Sequence, residues 1–172
     1  MNTAHLDEVM SIESSVFPTP WSKSLYRSEL EIPDTRIYLC LVERGRVIGY
    51  IGAMLVVDEV HITTIAVKES EQRRGIGKAL LLHSLMIARS RGALAATLEV
   101  RVSSQGAHSL YHRFGFAPAG IRKNYYAEEH EDALIMWSHD LQGDEFNARL
   151  TTIASELKIQ GLPLPTLSDN GS

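Results

Sequence analysis

Apolar residues recur at two spacings along the chain, and these spacings predict its helices and strands. A first helix is predicted over residues 3–16, because its apolar side chains fall near one helical face: Leu6, Val9, Met10 and Val16. The two prolines of F-P-T-P-W end this helix, since proline cannot continue it. Ser22 is a suitable N-cap for a second helix that ends at Pro33. Trp21 can pack against Tyr26 at the start of that helix.

Apolar and alternating runs predict the strands. R-I-Y-L-C-L-V-E and R-V-I-G-Y-I-G-A-M-L-V-V meet at Arg44 and Gly45, which predicts a hairpin. V-H-I-T-T-I-A-V predicts a buried central strand, and A-A-T-L-E-V-R predicts another after the next helix. A short helix is predicted from Gln105 to Arg113, before a terminal hairpin that runs from F-A-P-A-G-I-R to D-A-L-I-M-W-S. This order predicts a mixed α/β single domain.

The central strand leads through a charged turn into a helix over Val60 to Arg91. Gly75 and Gly77 lie in the first helical turn, where glycine usually allows a close approach to the backbone. The N–H groups of a first turn are unpaired and bind phosphate well. A Walker loop is excluded by Ala79 and a dinucleotide fingerprint by Leu80. On these residues alone, a tight connection with a solvated basic turn explains the sequence equally well.

Composition bounds the class of protein. The chain has 172 residues, 44% of them hydrophobic and 22% charged, which suits one soluble domain plus a tail. A net charge of −4 argues against broad binding to nucleic acid or anionic membranes, and no apolar run is long enough to span a bilayer. The single cysteine, Cys40, excludes an internal disulfide and fits a reducing cytoplasm. We therefore expect a cytoplasmic protein, and a monomer.

Residues 142–172 are predicted to form a tail apart from the domain of residues 1–141. The tail contains one amphipathic helix with a clear apolar stripe: Phe146, Leu150, Ile153 and Leu157. The stripe could dock on its own domain, which we favour, pair with a partner, or have little effect. The last residues, from G-L-P-L-P onwards, are expected to be loose.

Three side chains could transfer protons. Glu99 is the only charge in A-A-T-L-E-V, where a carboxylate is costly unless it is paired, for example with Arg101, or used in chemistry. Tyr111 could be a proton donor or a core aromatic residue. His61, in the central strand, could be a second base or simply hydrogen-bonded in place. Two more histidines have metal-ligand spacing but no evident third ligand, so no metal is expected: His108 and His112.

The stretch Q-R-R-G-I-G-K-A-L-L after I-A-V resembles the acyl-coenzyme A pyrophosphate loop of the GNAT N-acetyltransferases. L-E-V-R, A-x-x-L-Y-x-x-x-G-F, R-K-N-Y-Y and E-D-A-L-I-M resemble the RimI branch of that family, the ribosomal-protein-alanine N-acetyltransferases. The resemblance covers residues 1–141 and implies a mixed, mostly antiparallel central sheet flanked by helices. It also implies that the central strand splays from its neighbour and that its main chain pairs with pantetheine.

The resemblance assigns site roles residue by residue. Glu99 is implied as general base and Tyr111 as the acid that protonates the thiolate of coenzyme A. The implied acetyl-CoA site comprises Ile65, Ala66, Val67, Gln72, Arg73, Arg74, Gly75, Ile76, Gly77, Lys78, Ala79, Ser104 and Tyr111. The implied acceptor site comprises Phe17, Pro18, Trp21, His61, Asn124, Tyr125 and Tyr126. Ser104 replaces an asparagine that contacts pantetheine in the family, so we expect weaker cofactor binding.

The implied reaction is direct acetyl transfer from acetyl-CoA to a protein N-terminal α-amine in a ternary complex. The implied acceptor is an N-terminal alanine of the eighteenth small-subunit ribosomal protein, without direct contact to nucleic acid or a membrane. Two alternatives stay open at this stage. One is a GNAT enzyme for a small-molecule amine or lysine, and the other is a non-catalytic acetyl-CoA sensor or adaptor that docks through the tail.

Overall fold

The computed structural model describes residues 1–159, which form five α-helices and one six-stranded sheet. The helices are α1 (Leu6–Val16), α2 (Lys23–Leu30), α3 (Ile76–Ser90), α4 (Gln105–Arg113) and α5 (Asp144–Ile159). The strands are β1 (Arg36–Glu43), β2 (Arg46–Val56), β3 (Glu59–Val67), β4 (Ala95–Arg101), β5 (Ala117–Tyr126) and β6 (Glu131–Ser138). The predicted α/β class and the predicted order of elements are confirmed.

The strands lie in the order β1-β2-β3-β4-β6-β5, and every neighbouring pair except β3 and β4 is antiparallel. The parallel ladder of β3 and β4 begins at Glu59 and ends where Ile62 pairs with Leu98. Both strands continue beyond this pair, β3 to Val67 and β4 to Arg101. The two strands therefore part in the middle of the sheet.

A β-bulge lies at the same place. Gly52 of β2 pairs with Thr64 and Ala53 pairs with Ile62, so Thr63 is an extra residue on β3. Before the bulge, Ile62 faces the larger core, whereas after it Ile65 packs there and Ala66 faces the smaller core. The bulge thus reverses the faces of β3 where β3 leaves β4.

The sheet separates two hydrophobic cores. The smaller core lies under α1 and α2, and its buried residues include Leu6, Val9, Ile12, Tyr26, Tyr38 and Tyr50. The larger core holds α3 and also α5, whose stripe is buried in it: Phe146, Leu150, Ile153 and Leu157. The predicted C-terminal helix therefore docks on its own domain. The end of the tail, expected to be loose, lies outside the described residues from 160 onwards.

Local features of the second helix follow its sequence. The Ser22 hydroxyl caps α2 by accepting the N–H of Leu25 at 3.2 Å, as predicted. The ring centroids of Trp21 and Tyr26 are 5.6 Å apart, which confirms their predicted contact. Across residues 1–159, the structure contains no helix with both the length and the apolar character needed to cross a bilayer.

Candidate active site

A cleft of about 640 Å³ opens where β3 and β4 part. Residues 61–65 of β3 and 98–101 of β4 line its base, together with residues of α4. The loop between α1 and α2 forms one wall, and the turn between β5 and β6 forms the other. The cleft therefore combines residues that are far apart in the sequence.

Glu99 lies in this cleft with its side chain only 8% exposed. Its Oε2 atom is 2.6 Å from Nε2 of His61, and its Oε1 atom is 3.3 Å from a guanidinium nitrogen of Arg122. A carboxylate this buried needs such partners. The pair with Arg101 that the sequence suggested does not form, because Arg101 instead pairs with Glu129 and Glu131.

Tyr111 lines the cleft from α4 and is 5% exposed. Burial raises the pKa of its hydroxyl, and the nearby Tyr126 adds to this effect. Like an ordinary tyrosine, Tyr111 therefore carries its proton at neutral pH, as a proton donor must, and the raised pKa does not make its hydroxyl a stronger acid. The guanidinium carbon of Arg101 lies 3.9 Å from the ring centroid of Tyr126, which holds that ring in the cleft wall.

The loop before α3 has the backbone geometry of an anion site. Gly75 adopts a φ of 84° and Arg73 a φ of 66°, both left-handed. The first helical hydrogen bond after them runs from the N–H of Ala79 to the carbonyl oxygen of Gly75, at 2.9 Å. The N–H groups of residues 76–78 therefore precede the helical ladder, as at any helix start, and can bind a phosphate. The side chains of Ile76 and Ala79 are buried, and the N–H of Ala79 is bound to Gly75, so of these two predicted residues only Ile76 could contribute, through its backbone N–H.

Three polar side chains of this region are engaged within the protein: Gln72, Arg74 and Lys78. Gln72 donates to the carbonyl oxygen of Val67 at 3.2 Å. Arg74 pairs with Glu43 at 2.8 Å and also with Glu71. Lys78 pairs with Glu156 of α5 at 3.3 Å, and the same carboxylate binds Arg113. A phosphate on this loop would compete with these carboxylates for the cations.

Most of the predicted acceptor residues meet in the cleft. Phe17 and Trp21 line one wall, Tyr125 and Tyr126 the other, and His61 the base. Two predicted residues, Pro18 and Asn124, are exposed and lie outside the lining.

A side-chain hydrogen bond joins the two walls. The hydroxyl of Thr19 donates to Oε2 of Glu128 at 2.8 Å, and both residues line the cleft. This contact narrows the opening between the α1–α2 loop and the β5–β6 turn.

Ser104 is the N-cap residue of α4 and also lines the cleft, where the side chain makes no capping hydrogen bond. His108 does not face a metal site, since its Nε2 atom lies 2.9 Å from the carbonyl oxygen of Arg101. Within residues 1–159, no group of three or more His, Cys, Asp or Glu side chains is placed to hold a metal ion.

Sequence reasoning missed two carboxylates of this region. Glu13 lines the cleft and is 2% exposed, and Glu156 binds the phosphate loop from α5. Glu13 had a signal, because it interrupts the apolar stripe of α1 four residues after Val9 and three before Val16. No sequence pattern marks Glu156, since its partners come from other helices.

Known proteins resemble this chain in sequence and in fold. A profile of the acetyltransferase (GNAT) family matches residues 6–116. A [ribosomal protein bS18]-alanine N-acetyltransferase from Salmonella typhimurium is 37% identical over 138 residues, covering 79% of this chain and 92% of that protein. A Bacillus subtilis relative with a provisional form of the same name is 41% identical over 138 residues, covering 80% and 91%. The crystal structure of the Escherichia coli ribosomal-protein-S18-alanine N-acetyltransferase is similar with a TM-score of 0.74, 33% identity and coverage of 81% and 90%.

Proposed function

This chain belongs to the acetyltransferase (GNAT) family, and we propose that it moves an acetyl group from acetyl-CoA to the α-amine of a protein N-terminus. The proposed acceptor is the N-terminal alanine of ribosomal protein bS18, because the bacterial relatives carry the name of that activity. The protein would act as a monomer in the cytoplasm, where the free thiol of Cys40 would stay reduced.

One observation carries the proposal: Glu99 and Tyr111 meet in a cleft between two walls that suit an extended peptide end. An α-amino group has a pKa of about 8, so most of it is protonated at neutral pH and must lose a proton before it can attack. Glu99, with His61 at 2.6 Å, accepts that proton directly or through one water. Tyr111, which burial keeps protonated, donates its proton to the departing thiolate.

The residues present fit acetyl-CoA, which supplies the acetyl group as a thioester. The positive φ of Gly75 turns the chain so that the first N–H groups of α3 can bind the pyrophosphate. Within residues 1–159, β3 has no strand partner on the β4 side beyond Ile62, so its main chain can pair with an extended ligand there. A backbone N–H of this segment would polarise the thioester carbonyl.

A turnover assay with acetyl-CoA and a panel of acceptors tests the proposal. The panel contains a peptide with a free N-terminal alanine, the same peptide with a blocked N-terminus and one lysine, polyamines and aminoglycosides. Release of free thiol shows turnover, and mass spectrometry of the peptide locates the acetyl group. We expect the free α-amine of alanine to be acetylated and the blocked peptide to remain unchanged.

Two variants test the chemistry. Glu99→Gln and Tyr111→Phe should each lower turnover about 100-fold, because each removes one proton transfer. Coenzyme A binding should persist in both variants, which separates lost chemistry from lost folding. Near-normal turnover in both variants, or preferred acetylation of the lysine or of a small amine, would reject the proposal.

A further inference from the structure

Glu13 is a buried carboxylate that lines the cleft and takes no part in the proposed proton transfers. Its Oε1 atom accepts the backbone N–H of Trp21 at 2.9 Å. Its Oε2 atom accepts the hydroxyl of Tyr26 at 2.8 Å and also that of Tyr50. Both carboxylate oxygens are thus bound by the protein itself, which suits a structural anchor better than a base.

The same residue holds both ends of one cleft wall. Its main-chain carbonyl oxygen accepts the N–H of Phe17 at 2.9 Å, while its side chain holds the N–H of Trp21. Phe17 and Trp21 are the two aromatic residues of the α1–α2 loop that line the cleft. The two tyrosines fix the carboxylate in turn, because Tyr26 on α2 and Tyr50 on β2 are both fully buried.

We propose that Glu13 is a positioning residue for the acceptor, which holds the wall of Phe17 and Trp21 at the distance that seats the acceptor amine beside Glu99. The inference rests on the proposed function, in that the acceptor is a peptide end bound against this wall. Hydrogen bonds to a buried carboxylate are strong and directional, so they set the place of a loop that has no regular secondary structure. Within residues 1–159, the loop before α3 makes no hydrogen bond with Glu13, so cofactor binding should not depend on it.

Steady-state kinetics with the alanine peptide test this role. Glu13→Ala should raise KM for the peptide about tenfold or more, as expected when a charge-assisted hydrogen bond is lost. KM for acetyl-CoA should stay within about twofold of that of the unchanged protein, a difference too small to reflect a lost hydrogen bond. KM for the peptide in Glu13→Gln should lie between the values of the unchanged protein and Glu13→Ala, because the amide oxygen of glutamine can still accept the N–H of Trp21. Ile12→Val is the matched control, since it loosens the same hydrophobic core from the same helix and leaves the hydrogen bonds of Glu13 in place.

A second readout does not depend on the acceptor. The chain has two tryptophans, so in a Trp137→Phe background the fluorescence reports Trp21 alone. Acrylamide should quench Trp21 more strongly in Glu13→Ala than in the protein with Glu13 unchanged. The increase should be smaller in Glu13→Gln, and Ile12→Val should show no increase. If the unchanged protein acetylates no peptide, the proposed function fails, whereas the quenching still tests Glu13.

Two results would overturn the inference. One is unchanged quenching together with an unchanged KM for the peptide in Glu13→Ala. The other is an equal rise of both KM values, matched by Ile12→Val, which would indicate general loosening. If Glu13→Ala fails to fold, Glu13→Gln and Tyr50→Phe decide the question, and each must raise KM for the peptide more than KM for acetyl-CoA.

Discussion

The Nε2 atom of His61 lies 2.6 Å from the Oε2 atom of Glu99, beside the point where β3 and β4 part. At this distance the imidazole and the carboxylate share one hydrogen bond and can act on one proton as a unit. When two residues act as a unit, the effects of replacing each of them on the activation free energy do not add. We therefore expect kcat/KM of the double variant of His61→Ala and Glu99→Gln to be no lower than that of Glu99→Gln alone. The measurement compares the unchanged protein, the two single variants and the double variant.

Glu59→Gln serves as the control for this comparison of variants, because Glu59 is an exposed carboxylate that lies on β3 with His61 but outside the cleft. Its turnover should match that of the unchanged protein. Losses that multiply in the double variant would show that His61 and Glu99 act independently, for example with His61 only contacting the acceptor.

The pair illustrates what the sequence could and could not predict. Glu99 is the only charge in A-A-T-L-E-V, so the sequence identifies it as an unusual residue in a strand, and the order of helices and strands follows from such patterns. The sequence pattern does not predict the partner of Glu99. Arg101 is two residues away on the same strand face, yet the structure gives Glu99 the distant His61 and Arg122. Contacts between strands depend on register, which a single sequence does not specify.

The spacing of apolar residues also does not predict the cleft. I-T-T-I-A-V has the composition of an uninterrupted strand, and nothing in it marks Thr63 as a bulge or Ile62 as the last residue paired with β4. The resemblance to the GNAT family implied this splay, whereas periodicity alone did not. The candidate phosphate loop was easier to predict, because two glycines around a helix start allow a ligand to approach the backbone closely.

Gly75→Ala should weaken binding of coenzyme A and lower stability. Gly75 has a φ of 84°, where a β-carbon costs about 1 kcal/mol or more. Gly92→Ala is a matched control, since Gly92 has a φ of 91° just after the same helix and a β-carbon there would meet no atom within 4 Å. Both variants should lose similar stability in thermal unfolding, but calorimetry should show weaker binding of coenzyme A only for Gly75→Ala. Equal affinities would mean that this turn does not hold the cofactor.

Glu156→Gln should strengthen binding of coenzyme A. Glu156 neutralises Lys78 at the start of α3 and Arg113 at the end of α4, so its removal leaves two cations for the phosphates. The gain should shrink at high salt, because exposed charges are screened. Glu145→Gln is the control, since Glu145 lies on the same helix and pairs with Arg149. Titrations at two salt concentrations test this, and weaker binding by Glu156→Gln would show that its contact with Lys78 orders the loop instead.

The pH dependence of stability should distinguish Glu13 from an ordinary surface carboxylate. Burial raises the pKa of Glu13 in the folded protein, against smaller opposing effects of the Trp21 N–H and the Tyr26 hydroxyl. A raised folded pKa means that protonation favours the fold. This contribution is fully present below the unfolded pKa of about 4.3 and is lost as pH rises through the folded pKa. Because glutamine does not titrate, the unchanged protein should lose stability relative to Glu13→Gln as pH rises from 4 towards neutrality.

Glu131 provides a control of opposite sign. Hydrogen bonds from Ser103 and the guanidinium of Arg101 lower the pKa of Glu131, so its contribution is present above the unfolded pKa and is lost as pH falls through the folded pKa. Relative to Glu131→Gln, the unchanged protein should therefore gain stability over the same rise in pH. Urea unfolding of the three proteins across this range measures both slopes. Slopes of equal sign would show that the hydrogen bonds to Glu13 outweigh its burial and lower its pKa, and a slope of zero would show that Glu13 titrates as it does in the unfolded chain; either result would contradict a raised pKa of Glu13.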